Sequence, residues 1–449
     1  VAATRTLHLV DLPTPRTGLL TDHYELTMLT AALRDGTAHR RCVFEVFARR
    51  LPAGRRYGVV AGTGRYLDAL ERFGFDAAEI GWLCERGVIE DAAAEWLSSY
   101  RFAGDVWGYA EGECYFPGSP VLVVEGTFAE CVVLETVTLS ILNHDCAVAS
   151  AASRMTWAAG DRPCIEMGSR RAHEEAAVAA ARAAYVAGFS STSNLEAGRR
   201  HAVPTRGTAA HAFTLLHDDE RAAFASQVAA LGPDTTLLVD TYDVEQAVRT
   251  AVDLVGPGLG GVRLDSGDLV AQAHEVRALL DTLGATQTRI VVTSDLDEYA
   301  IAALSAAPVD AYGVGTRLVT GSGAPTAGMV YKLTARQGRD GLLAPVAKRS
   351  ADKPSIGGRK HAYRSLDEDG HAAVELIVTT PGSAPPAHAD ELGRTLLQPL
   401  VRAGEVVGRE PLDQARDRHQ RVRAELPREA SKLSDGDPVI PTHWQEALR

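Results

Sequence analysis

Lysine is nearly missing from this 449-residue sequence: five residues stand against 41 arginines. Four of the five, Lys332, Lys348, Lys353 and Lys360, fall within one 29-residue stretch. Lysine is a compact, flexible point charge suited to phosphate, so this cluster is a candidate anion-binding region. A solvated surface ribbon is the alternative. Cysteine is sparse too. Cys42, Cys84, Cys114, Cys131, Cys146 and Cys164 form no CxxC-type pair, which excludes a zinc ribbon and a disulfide framework. Reduced, buried thiols in a cytoplasmic protein are expected instead. No apolar run approaches the ~18 residues of a membrane span, and the opening VAATRTLHLVDLPTPRTG lacks the apolar core of a signal peptide. Neither a GxGxxG turn after a first strand nor a GxxxxGK[ST] loop occurs, which excludes the dinucleotide fold and the P-loop. Net charge is −12, so generic binding to nucleic acid or to an anionic membrane is disfavoured. An anionic substrate would need a locally basic pocket.

What is present reads as a soluble globular chain, 45% hydrophobic and 23% charged, long enough for two or three domains. Residues 1–145 mix helices and short strands and predict an N-terminal α/β domain. Within it, Asp22 to Leu33 reads as a helix capped by Thr21 or Asp22, CVFEVFAR as a strand, and Val132 to Ser153 as a long helical stretch. Over 146–345 short apolar strands alternate with amphipathic helices: CIEMGSRR, TLLVDTYD, GVRLDSGD, IVVTSDLD and AYGVGT each end a strand. Strand–helix repetition implies a parallel sheet. Polar residues gather at the C-terminal ends of these strands, which favours an irregular (β/α) barrel with its site on that face. Residues 346–449 are loop-rich and are expected to return to the first domain, completing a second α/β domain.

Four stretches carry candidate chemistry. AYGVGTRLVT ends a strand in Gly-x-Gly-Thr, so Gly315 and Thr316 offer backbone N–H groups and a hydroxyl to a phosphate. GVRLDSGDL places Arg263, Asp265 and Asp268 at a strand-to-helix turn, suited to ribose hydroxyls or to Mg²⁺ on a diphosphate. The plainer reading of Asp268 is a helix cap. EMGSRRAHEEAA puts Arg170 and Arg171 before a helix N-terminus, where they oppose the dipole and call for an anion or for Glu174 or Glu175. RGTAAHAF sets His211 among small residues, with room for a group beside the imidazole. A histidine beside a diphosphate can be a phosphoryl nucleophile. LLVDTYD lacks the Thr-Thr-Gly that would follow in an orotate-type phosphoribosyltransferase, and that class is rejected.

Together LLTDHYELTM, EMGSRRAHEEAA, GFSSTSN, RGTAAHAF, VRLDSGDL, YGVGTRLVT and KPSIGGRK resemble the nicotinate phosphoribosyltransferase family, in order from about residue 17 to 364. The resemblance implies a type II phosphoribosyltransferase fold and a homodimer with sites near the interface. It implies transfer of phosphoribosyl from phosphoribosyl diphosphate (PRPP) to nicotinate, with Mg²⁺ and with ATP hydrolysis coupled through a phosphohistidine. By motif, His211 would be that histidine. Tyr24 would stack on the pyridine ring from the partner subunit, and Thr208 and Arg263 would hold nicotinate. Asp265 and Asp268 would serve the ribose and Mg²⁺-diphosphate, Gly315 and Thr316 the 5-phosphate, and Arg170 a further anion. Ala212, Ser191 and Gly357 depart from the family pattern. The sister nicotinamide enzymes carry an Asp near the position of Ser193, so Ser193 favours the carboxylate substrate. A catalytically silent phosphoribosyl-binding protein is the rival from another class.

Overall fold

The strand Arg41–Ala48 is buried along all but its first residue, because it lies inside a seven-stranded antiparallel sheet. In order, that sheet holds Leu343–Pro345, Met329–Gln337, Arg41–Ala48, Leu122–Thr127, Asp105–Tyr109, Leu397–Arg402 and Glu405–Val406. Late segments of the chain therefore pair directly with early ones: Leu397–Arg402 runs antiparallel to Asp105–Tyr109. A four-stranded sheet follows the order Arg394–Thr395, Arg359–Leu366, Ala372–Thr380 and Thr442–Glu446. The computed structural model describes residues 15–348, 356–380, 382–386 and 388–446.

The third sheet is wholly parallel. Its order is Ser191–Thr192, Cys164–Glu166, Ala311–Val314, Arg289–Val292, Gly261–Leu264 and Thr236–Leu238. The fold is thus mixed α/β, but the expected barrel is met only as a half-barrel. The chain between its two edge strands is spent on the helices Leu195–His201, His211–Leu216 and Glu220–Leu231. It adds only one parallel bridge, Thr192 to Thr205. Outer helices cover the sheet as their spacing predicts: Val244–Val255 buries Ala247, Val248, Ala251 and Val252.

The helix Glu135–Ala159 runs unbroken across 145–146. Its first half, with Val137, Ile141 and Leu142, packs into the core of the antiparallel sheet. Its second half, with Val148, Ala152 and Met155, packs into the core of the parallel one. One sequence expectation is corrected here. Phe128–Ala159 is long and apolar enough to cross a membrane by composition, although 67% of its most apolar window is buried inside the protein. Interspersed Ser, Thr and Asn hide that run from a reading by eye.

A second correction concerns the C-terminal region, which holds a 14-residue helix, Leu412–Glu425, where loop was expected. Its buried residues are only Ala415, His419 and Val422, a stripe too thin to stand out among the charges. The helix packs straight onto the backbone of Gly112, where a Cβ would lie 2.1 Å from the Ala415 carbonyl oxygen. His419 then pairs its Nδ1 with the Gly112 carbonyl at 3.0 Å and its Nε2 with Ser153 Oγ at 2.9 Å. Buried ion pairs add to the fastening: Arg364 joins Glu113 and Glu375, and Arg359 meets Glu125 at 2.7 Å. Two of the four clustered lysines lie against carboxylates, and Lys348 is exposed. Lys360 is buried against Glu45, Lys332 lies 3.9 Å from Glu135, and Lys353 lies outside the described residues. Five of the six thiols are buried and free, and Cys84 is exposed.

Burial pushes His419 and His361 down from 6.5 to about 4, so both are neutral in the native state at neutral pH. Unfolding exposes them to protonation, so the unfolded chain binds more protons between about pH 4 and 6.5. Stability should therefore be full above pH 6.5 and fall as pH drops toward 4. Urea midpoints measured across that range should show the decline, and His419→Asn should flatten it; an unchanged slope in that variant would remove His419 from the account.

Candidate active site

The site grows from the C-terminal ends of the parallel strands. Met167 follows Cys164–Glu166, Arg263 lies on Gly261–Leu264 with Asp265 just past it, Thr293 follows Arg289–Val292, and Gly313 lies on Ala311–Val314. With Arg170, Arg171, Ser294, Asp295, Gly315 and Thr316 they line a cleft of about 230 Å³. Gly313 must be glycine: a Cβ there would lie 2.5 Å from Thr293 Cγ2 and 2.8 Å from Met167 Sδ. Ser294 takes a φ of 137°, a conformation that costs a non-glycine residue energy and that collects at functional sites. A second cavity of about 640 Å³, lined by Ile165, Thr208, Val291 and Ala311, shares Met167 with the cleft.

Three guanidiniums face this space. Arg170 and Arg171 form a 3-10 turn, Ser169–Arg171, and neither makes an ion pair among the described residues. Of the two alternative partners, Glu175 is taken by Arg200 at 2.7 Å and Glu174 lies 3.7 Å from His173. Arg263 donates from Nη1 to Thr208 Oγ1, and its Nε is buried with no partner. Burial pulls its pKa down, Asp265 and Asp240 pull the other way, and Arg170 adds to the fall. A desolvated cation with an orphaned N–H wants an anion.

His211 opens the helix His211–Leu216, with a side chain 41% exposed. Its Nε2 meets Asp240 Oδ1 at 3.1 Å. The Asp240 side chain is 3% exposed. Its other oxygen accepts the Asp265 N–H at 2.9 Å and the Ser266 hydroxyl at 2.8 Å. One carboxylate thus ties the imidazole to the turn that carries Asp265, whose own side chain accepts from Thr293 Oγ1. Asp240 was visible in sequence as one strand-end acid among several, but nothing there says which acid meets His211. Asp295 was likewise legible only as one of a series.

The structure brings Arg170, Arg263, Asp265, Gly315 and Thr316 to one cleft, with Thr208 hydrogen-bonded to Arg263. His211 is linked to it through Asp240. Two expected residues stand apart. Asp268 is exposed and caps the helix Leu269–Thr282, accepting from Ala271 N at 3.1 Å, so the plainer reading describes its side chain here. Tyr24 does not line the cleft of its own chain; it is 43% exposed on His23–Asp35 beside exposed Leu19 and Leu20. Burial and the Glu135 carboxylate raise its pKa. Among the described residues no three His, Cys, Asp or Glu side chains converge as metal ligands.

A family model, the nicotinate phosphoribosyltransferase N-terminal domain, matches residues 19–143. The chain is 59% identical to nicotinate phosphoribosyltransferase pncB1 of Mycobacterium tuberculosis over 433 residues, covering 95% of this chain and 94% of that protein. It is 38% identical to the nicotinate phosphoribosyltransferase of Bacillus subtilis over 365 residues, covering 79% and 74%. The crystal structure of human nicotinic acid phosphoribosyltransferase superposes with a TM-score of 0.79 at 26% identity, covering 94% of this chain and 98% of that one.

Asp240→Asn keeps the shape and removes the charge behind the imidazole. A hydrogen bond to a charged group is worth about 1.5–3 kcal/mol, so kcat/KM should fall roughly 10- to 150-fold while the far-ultraviolet spectrum stays unchanged. A wild-type kcat/KM would show that Asp240 only braces the turn.

Proposed function

The chain belongs to the nicotinate phosphoribosyltransferase family, and on that premise we propose a role for each side chain in the cleft. The enzyme's activity is nicotinate phosphoribosyltransferase, a step of NAD biosynthesis. The observation that carries the residue assignment is Arg263, a desolvated guanidinium braced by Thr208 and left with an unused N–H. It takes the nicotinate carboxylate. A neutral amide would leave that charge uncompensated, which disfavours nicotinamide.

Gly315 and Thr316 take the 5-phosphate of PRPP, because the first N–H groups of the short helix Thr316–Val319 have no acceptor within it. Arg170, with Arg171, neutralises the diphosphate end of the donor. Asp265 receives the ribose side. Transfer displaces diphosphate from the anomeric carbon by the pyridine nitrogen, with oxocarbenium character at the transition state, so the chain's main work is to position the two reactants and balance charge. His211 takes a phosphoryl group from ATP, with Asp240 orienting the ring. A Mg²⁺ that arrives on the diphosphate would meet Asp265, which lines the cleft, whereas Asp268 is engaged as a helix cap. When bound it would supply charge neutralisation for the leaving group.

Tyr24 stacks on the pyridine ring of the partner's site. Its exposure beside Leu19 and Leu20, away from its own cleft, supports a homodimer. Five buried free thiols support a cytoplasmic setting. We also count 1–145 with 346–449 as one domain and 146–345 as the other, the parallel half-barrel standing for the irregular barrel of type II phosphoribosyltransferases.

A competition assay tests the carboxylate reading: PRPP, Mg²⁺ and ATP with equal nicotinate and nicotinamide, products identified by mass. Nicotinate mononucleotide should form alone. Arg263→Ala should lose about 2–5 kcal/mol of transition-state stabilisation, as for a buried charge deprived of its partner. Unaltered discrimination in that variant would remove Arg263 from the site.

A further inference from the structure

Glu166 ends the strand Cys164–Glu166 and is fully buried. No cation pairs with it among the described residues, and burial raises its pKa. Burying a carboxylate without a countercharge works against folding, so its retention asks for a task.

Its partners define that task. One carboxylate oxygen accepts the Gly168 N–H, and the other accepts the Thr192 hydroxyl. Its backbone carbonyl accepts the Ser193 N–H at 2.8 Å. Gly168 begins the turn that presents Arg170 and Arg171. Asn194 stitches that turn to the next loop, donating from Nδ2 to Ser169 Oγ at 3.0 Å and from its N–H to Thr192 Oγ1 at 2.9 Å. The Thr192 N–H donates to the Pro204 carbonyl, and its own carbonyl accepts the Arg206 N–H, both at 2.9 Å. Residues 204–206 lead into Thr208, the brace of Arg263. Packing leaves no slack: a Cβ on Gly168 would come within 3.0 Å of both Glu166 Oε1 and the Gly315 carbonyl.

We propose that Glu166, acting through Thr192, is a positioning residue for the phosphoribosyl transfer: it locks the Arg170–Arg171 turn and the Thr208 loop into one arrangement facing the anionic substrates. Its two oxygens, pointing apart, let Glu166 take an N–H from one loop and an O–H from another at once; an apolar residue takes neither. The inference rests on the reading of Arg170 as a donor-binding group, and its test separates the two.

The test is a double-mutant cycle on the full chain, with KM for PRPP, kcat and Tm read for each variant. Thr192→Val deletes the hydroxyl at nearly constant shape. It should raise KM at least tenfold and leave kcat within threefold, and Thr192→Ser should restore KM. Glu166→Gln, which turns one acceptor into a donor, should follow Thr192→Val. Arg170→Ala should also raise KM, and joined to Thr192→Val it should do no more than the worse single variant, because a displaced guanidinium has nothing left to lose. A purely structural Glu166 would lower Tm, and its KM effects would multiply with those of Arg170→Ala; that result, or wild-type KM in Thr192→Val or Glu166→Gln, overturns the inference. Wild-type KM in Arg170→Ala would instead overturn the donor-site reading, and the inference with it.

Discussion

The contact on which the arrangement of the cleft depends is the shared use of Asp240. One oxygen meets His211 Nε2, and the other takes the Asp265 N–H and the Ser266 hydroxyl. The imidazole comes from the helix His211–Leu216 and the turn follows Gly261–Leu264, so one buried carboxylate couples an inserted helix to the half-barrel. Local propensity sets neither position. Without Asp240 the imidazole would be free to rotate, and the turn would lose two of its hydrogen bonds.

Charge is arranged around that contact against the bulk of the molecule. The chain carries −12, yet its cleft presents Arg170, Arg171 and Arg263 with no carboxylate in salt-bridge contact with them among the described residues. Elsewhere arginine is neutralised with care, as in the buried pairs of Arg182 with Glu111 and of Arg55 and Arg154 with Glu298. An enzyme joining an anionic base to a polyphosphorylated sugar needs such an imbalance, held by structure because it works against stability.

Much of this was legible in the sequence where a residue's role is local. The helix opened by Asp22, the strand ends bearing Arg263 and Gly315, and the amphipathic Val244–Val255 follow from caps, periodicity and turn chemistry. The extent of the barrel, the burial of Lys360 and the thin-striped helix Leu412–Glu425 were not legible, because each is decided by pairing between residues far apart in the chain. Lys360 meets Glu45 across 315 positions, and His419 meets Ser153 across 266. The same limit hid the partnership of Asp240 with His211 and the buried junction at Glu166.

The most direct measurement is to expose the enzyme to ATP labelled in its γ-phosphate, quench under alkaline conditions that preserve phosphohistidine, and map the label by mass spectrometry. The account predicts an acid-labile phosphoryl group on His211 and loss of protein-bound label in His211→Ala. Label on a different residue, or undiminished ATP hydrolysis in His211→Ala, would contradict it.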